Sequence, residues 1–192
     1  EIVDELKRRG RNVWRVQRYR CRIEGLTKEL KELGLLHNKC ILATYLRASF
    51  EQRLDLLRGL MDTDGGVTTG AEFYNTNWRL IDGVLELVRS LGMYPRVSEK
   101  TAKRYGKECG PAWTVNFQTD LPVFCLPRKA ARLSHAPSRM MSVVSVEKVE
   151  DGPTRCIEVD APSHLFLSGE GMVPSHNSLS AAMEALAWLP YA

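Results

Sequence analysis

Leu57-Arg58-Gly59-Leu60-Met61-Asp62-Thr63-Asp64-Gly65 is the stretch on which the fold turns. Extended back to Arg53, it places Leu54, Leu57 and Met61 along one stripe with Leu56 and Leu60 beside it, so the spacing predicts a helix ending at Gly65. Two features of that helix need a cause. A glycine in a helix interior costs about 1 kcal/mol relative to alanine, which Gly59 justifies if another backbone approaches closely there. Asp62 and Asp64 sit at the C-terminal end, where the helix dipole disfavours carboxylates. Carboxylates gathered at the wrong end imply a hard cation, magnesium or calcium; the plainer alternative is a buried amphipathic helix with two solvated aspartates.

The flanks extend the pattern. Phe73 to Thr76 reads as a strand, and Trp78 to Leu91 as a helix with Leu80, Val84, Leu87 and Leu91 in register and Gly92 as its stop. Tyr94 to Lys100 and Trp113 to Gln118 then form a hairpin, with Lys100, Lys103, Arg104 and Lys107 near its tip. Upstream, Arg15, Arg18, Arg20 and Arg22 belong to a basic stretch, and Arg18 to Ile23 alternates so that one strand would put three arginines on one face. Guanidinium groups so spaced suit phosphates and guanine edges, although a charged edge that blocks sheet aggregation reads the same way. A helix from Leu26 to Leu36 follows.

The nonapeptide resembles the motif that names the LAGLIDADG homing endonucleases, with Arg58, Met61 and Thr63 in place of consensus residues. Lys39, ahead of Tyr45-Leu46-Arg47-Ala48-Ser49, resembles the lysine-bearing block before the second nonapeptide of intein endonucleases. The resemblance implies a mixed α+β chain in which an αββαββα half pairs with another through the nonapeptide helices to form a sheet saddle over double-stranded DNA. It implies that Asp64, with Asp62 as partner, binds Mg2+ at the scissile phosphate, and that Lys39 stabilises charge there; a lone lysine before a helix is also an ordinary surface residue. Only one nonapeptide is visible, so residues 1–36 read as the tail of a first half and 37–138 as the second half.

The C-terminal region carries different chemistry. Val143 to Val149, Cys156 to Asp160 and His164 to Gly169 read as short strands separated by Asp151-Gly152-Pro153 and Ala161-Pro162-Ser163 turns. They lead to Ser175-His176-Asn177-Ser178. An asparagine can turn its side-chain nitrogen onto its own carbonyl to close a five-membered succinimide. The preceding histidine can protonate the departing amide, and the following serine can hold an acyl group. In this order the residues resemble the C-terminal splice junction of an intein. Residues 139–177 then correspond to the C-terminal β-strands of a Hint splicing domain and 178–192 to a C-extein. The N-terminal splicing blocks would be supplied by a missing segment.

Cys156 stands where most inteins have aspartate, and resembles the branch nucleophile of class 3 inteins; Ser175 replaces their threonine, and His164 matches the histidine that polarises the junction. A buried cysteine that only packs is the alternative. Splicing on this resemblance needs no cofactor. A hydroxyl residue opening the helix after the junction resembles the end of a phosphate-binding loop, which implies a P-loop ATPase host such as a phage terminase or a replicative helicase. Two other classes stay open: a free-standing LAGLIDADG endonuclease or DNA-binding protein without splicing, and a Hedgehog-like autoprocessing domain.

Composition agrees with these readings. The chain of 192 residues is 44% hydrophobic with a net charge of +4, enough for a core and more than one module. Five cysteines without CxxC pairing argue against a disulfide framework or a structural zinc site, which fits a cytoplasmic setting. No apolar run reaches membrane-spanning length and no leader precedes the basic stretch; the start without methionine implies a fragment of a larger precursor.

Overall fold

The computed structural model describes residues 2–18, 20–134, 145–148, 150, 152–153 and 157–175. The chain divides into two compact units, Glu1–Pro137 and Ser138–Ala192. In the first the order is α1 (Ile2–Arg8), β1 (Val13–Gln17), β2 (Arg20–Ile23), α2 (Leu26–Glu32), α3 (Ala43–Leu46), α4 (Phe50–Asp64), β3 (Gly65–Val67), β4 (Ala71–Asn75), α5 (Trp78–Ser90), β5 (Arg96–Arg104), β6 (Lys107–Phe117) and α6 (Pro127–Ala130). From α4 onward this is helix, two strands, helix, two strands, helix. The described part of the second unit contains β7 (Phe166–Ser168) and β8 (Val173–Ser175).

Helix α4 begins three residues earlier than the leucine periodicity foretold, because Ser49 and Gln52 form a capping box. The Ser49 hydroxyl accepts the Gln52 amide at 3.3 Å and the Gln52 side chain accepts the Ser49 amide at 3.2 Å, satisfying two otherwise orphaned donors. Its stripe is fully committed: Leu57 and Met61 are completely buried and Leu54 nearly so. They join Phe73, Ile81, Val84, Leu87, Val88 and Val115 in one core. Helix α5 supplies the opposing wall, capped by the Asn77 side chain on the Arg79 amide, and Gly92 ends it at φ +81°.

Beneath the helices lies a four-stranded antiparallel sheet in the order β3-β4-β6-β5. Gly65 pairs with Phe73, Phe73 with Val115, and Val115 with Val97. Alternation along these strands sends Ala71, Phe73, Val115 and Phe117 into the core. Glu72, Tyr74, Arg96, Ser98, Lys100, Thr114 and Asn116 occupy the other face. The β5–β6 hairpin is longer than expected and turns at Tyr105-Gly106, with a shift in register between Thr101 and Lys103. It projects from the same end of the sheet at which α4 delivers Asp64 into β3.

Several expectations are corrected. Arg18 to Ile23 is not one strand: the chain turns at Arg18, and β1 pairs with β2 through Trp14↔Arg22, Arg15↔Cys21 and Gln17↔Arg20. Partners across an antiparallel pair share a face, so Arg20 and Arg22 lie with Trp14, whereas Arg15 lies on the opposite face with Cys21. The second helix is short, ending at Glu32 with Gly34 at φ +67°. In the second unit, Ser145 to Lys148 and Ile157 to Val159 are not strands. Neither finds a ladder partner among the described residues, and Val146 is 89% exposed. A strand needs a neighbour for its backbone groups and a face to bury, and alternation in sequence provides neither.

Candidate functional site

The two aspartates at the end of α4 have different surroundings. Asp62 Oδ1 accepts the backbone amides of Cys125 and Leu126, each at 3.1 Å, and Oδ2 accepts the Cys125 amide at 3.2 Å. Those amides lead into the first turn of α6, which opens with Pro127 at its first position; a carboxylate suits the positive end of a helix. Burial, followed by the Asp62 charge, pushes the nearby Cys125 thiol above its ordinary pKa. Asp64, one turn-step further, is exposed, and among the described residues its carboxylate makes no hydrogen bond or salt bridge, although its charge acts on Lys129.

Helix α6 returns the contact. Lys129 Nζ donates to the carbonyls of Met61 at 2.8 Å, Asp62 at 2.9 Å and Gly65 at 2.6 Å. The Asp62 carbonyl is one of those left open at the C-terminal end of α4, the Met61 carbonyl also accepts the Gly65 amide, and a cation there answers the dipole. Desolvation, with the Arg128 charge, draws the Lys129 pKa below the ordinary lysine value, while Asp62 and Asp64 pull it upward. The exchange is reciprocal: Asp62 of α4 holds the two amides just before α6, and Lys129 of α6 holds carbonyls at the end of α4. Arg132 adds a third stitch, donating to the Val67 carbonyl at 3.1 Å.

Gly65 makes the turn possible. A Cβ at that position would lie 2.6 Å from the Met61 carbonyl oxygen and 2.7 Å from its Cα, distances that no side chain tolerates. Gly59, by contrast, has nothing within 4 Å of where its Cβ would stand, so the close backbone approach expected there is not made by any described residue. It opens instead into a groove of about 520 Å³ between α1 and α4, lined by Glu5, Arg9, Asp55, Arg58 and Thr63 among others. Glu5 is paired with Arg9 at 2.7 Å and Asp55 with Arg58 at 2.9 Å, so much of the charge facing the groove is already neutralised.

Lys39 comes to the same end of the sheet by a side route. Its carbonyl accepts the Asn77 side-chain amide at 2.8 Å, and Asn75 in turn accepts the Asn77 backbone amide at 2.9 Å. Asn75 lies beyond Phe73, the partner of Gly65, so the register carries the Lys39 loop toward the end where Asp64 emerges. The Lys39 side chain itself is exposed and makes no contact with Asp64. Lys100 and Lys103 are exposed along β5, opposite Ala112 and Glu108, and the backbone of Arg104 pairs with Lys107. Arg15, Arg20 and Arg22 are exposed on the separate β1–β2 hairpin, and Arg18 sits in its turn.

Among the described residues no group of three or more His, Cys, Asp or Glu side chains is placed to enclose a metal ion. What α4 offers is one free carboxylate in a rigid turn at the edge of a sheet face bearing basic and polar side chains. Residues 51–116 match the LAGLIDADG-like domain. The LAGLIDADG-like segment thus takes in most of α4, β3, β4, α5, β5 and nearly all of β6, and stops short of α6. Beyond it, the chain is 42% identical over 164 residues to a replicative DNA helicase DnaB of Mycobacterium intracellulare, covering 80% of this chain and 28% of that protein. It is 48% identical over 54 residues to replicative DNA helicase DnaB of Mycobacterium leprae (strain TN), covering 27% of this chain and 9% of the relative. The chain therefore spans little more than a quarter of the curated relatives at most.

In the second unit, β7 and β8 form a hairpin with Phe166↔Ser175 and Ser168↔Val173 as partners. The Ser168 and Ser175 hydroxyls lie 2.6 Å apart, and each is within hydrogen-bonding distance of the Val173 carbonyl, at 3.3 Å and 3.2 Å. His164 is exposed at φ +52°, its amide bonded to the Ala161 carbonyl at 2.8 Å. Cys156, His176, Asn177 and Ser178 lie outside the described residues. The four described cysteines, Cys21, Cys40, Cys109 and Cys125, are free thiols, and no described helix is long and apolar enough to cross a membrane.

Sequence reasoning missed Lys129 and the structural occupation of Asp62. Pro127 signals a helix start, but nothing local reveals that the helix reaches back more than sixty residues to α4.

Proposed function

We propose that the chain belongs to an intein carried by a replicative DNA helicase, joining half of a DNA homing endonuclease to the C-terminal part of a protein-splicing domain. The observation that carries the endonuclease reading is the free Asp64 carboxylate, held at the sheet end from which the basic β5–β6 hairpin projects, within the segment matching a LAGLIDADG-like domain. The likeness to the Mycobacterium intracellulare helicase extends well beyond residues 51–116, which supports a helicase setting for the whole segment. In this reading residues 1–36 are the tail of the first endonuclease half, 37–138 the second, 139–177 the end of the Hint domain and 178–192 helicase sequence, all in the cytoplasm.

The open sheet face, with Lys100, Ser98, Arg96, Asn116 and Tyr74, lies along a DNA groove, and Lys103 and Arg104 meet phosphates; Arg15, Arg18, Arg20 and Arg22 add contacts from the β1–β2 hairpin. A free carboxylate oxygen fits a hard divalent cation, so Asp64 is the residue to hold Mg2+. Asp62, already accepting two amides, serves the turn first and could share the ion only through a lone pair left over. The bound ion would neutralise charge on the scissile phosphate and activate water. Lys39 lends positive charge at the same end.

For splicing, the Cys156 thiolate attacks the carbonyl of the upstream junction, breaking its peptide bond and forming a thioester. The Ser178 hydroxyl takes that acyl group as an ester, releasing the thiol. Asn177 then closes its side-chain nitrogen onto its own carbonyl, with His176 protonating the departing amine. The freed Ser178 amine captures the ester to give the amide. His164 polarises the first junction, and Ser175 stands beside the last. Intact masses of the full precursor test this sequence. A ligated product is expected from wild type and none from Cys156→Ala, while Asn177→Ala retains the C-terminal junction; full ligation by Cys156→Ala overturns the assignment of the nucleophile. Magnesium-dependent cleavage of an uninterrupted helicase allele, abolished by Asp64→Ala, tests the endonuclease. Cleavage without any ligated product would leave the non-splicing DNA endonuclease as the correct alternative.

A further inference from the structure

The geometry points to Lys129 as a positioning residue for Asp64: its ammonium fixes the turn from which the free carboxylate projects. An ammonium group has three N–H donors, and here all three have acceptors, the carbonyls of Met61, Asp62 and Gly65. Two of these carbonyls precede Asp64 and one follows it, so a single rigid cation brackets the residue on both sides. With its donors used, Lys129 has none left for a phosphate, which separates its role from that of Lys39 or Lys103. The Gly65 amide is bonded to the Met61 carbonyl, and the Asp62 carboxylate holds the Cys125 and Leu126 amides just before α6. Lys129 is therefore itself held, and Asp64 is the one acidic group of the turn left to meet a ligand. Residues that orient a metal ligand without touching the metal commonly change affinity by tenfold or more when removed.

The inference rests on the reading of Asp64 as a metal ligand, and one experiment separates the two. Mn2+ is titrated into the full-length precursor and binding followed by electron paramagnetic resonance, which needs neither DNA nor turnover. Asp64→Asn is expected to abolish the Asp64-dependent binding. Lys129→Met is expected to weaken it by about tenfold, and Arg132→Met, which removes a stitch from the turn just after α6 to Val67 and not to the Asp64 turn, to leave it unchanged. Lys129→Gln keeps two donors and falls between, which supplies the answer if Lys129→Met does not fold. Unaltered binding in Asp64→Asn overturns both the metal reading and this inference. Loss in Asp64→Asn with wild-type affinity in the Lys129 variants, or an equal loss in Arg132→Met, overturns the inference alone.

Discussion

Two stretches read as strands from the sequence meet different fates. Ala71 to Asn75 overlaps Phe73 to Thr76, and Ser145 to Lys148 lies within Val143 to Val149. The first is strand β4, paired on both sides, with Phe73 completely buried. The second is unpaired among the described residues, with Val146 89% exposed. Alternation states which face a strand would bury, whereas a ladder requires neighbours on which to spend it. The αββαββα segment brings its own neighbours within about eighty residues of chain, and the described C-terminal stretch closes only the β7–β8 hairpin.

The sharpest way to break this comparison is to cut into both stretches. Phe73→Ala removes a fully buried ring from the centre of the sheet and is expected to cost about 3–5 kcal/mol, read from urea unfolding of the full chain. Val146→Ala should stay within about 0.5 kcal/mol; a cost above 1 kcal/mol would reveal a packed partner for that segment. Next in size comes Asp62→Ala, which leaves the Cys125 and Leu126 amides without their charged acceptor and should cost about 1.5–3 kcal/mol. Ser49→Ala, which opens the capping box, should cost about 1 kcal/mol. Smallest, and opposite in sign, is Asp64→Asn: relieving a carboxylate of the negative helix end should raise stability by about 0.3–1 kcal/mol while removing metal-dependent cleavage. A destabilising Asp64→Asn would mean that the carboxylate serves the fold, as Asp62 does.

These contrasts mark what the sequence could and could not disclose. The leucine stripe of α4, the register of α5 and the basic hairpin were legible because each is a local periodicity with a local consequence. The start of α4 at Phe50 was also written locally, in Ser49 and Gln52, but a polar cap carries no hydrophobic signal. The three arginines from Arg18 to Arg22 misled because a hairpin turn interrupts the alternation without a glycine to announce it. Gly59 was read as a contact point, yet its surroundings among the described residues are open, while Gly65, read as a simple stop, proved to be the crowded one. The division of labour between Asp62 and Asp64 was beyond reach, since it depends on Cys125, Leu126 and Lys129, whose proximity only the closed fold creates.

That closure has a schedule. Lys129 follows the three carbonyls it grips by 64 to 68 residues, and at about 5–20 residues per second a ribosome needs roughly 3–14 s to supply it. During that interval the front of α4 can form under its own cap, but the far turn is unlatched. The acidic end of the helix is thus the last part of α4 to mature, which keeps it from settling before the sheet and the whole of α6 have left the ribosome.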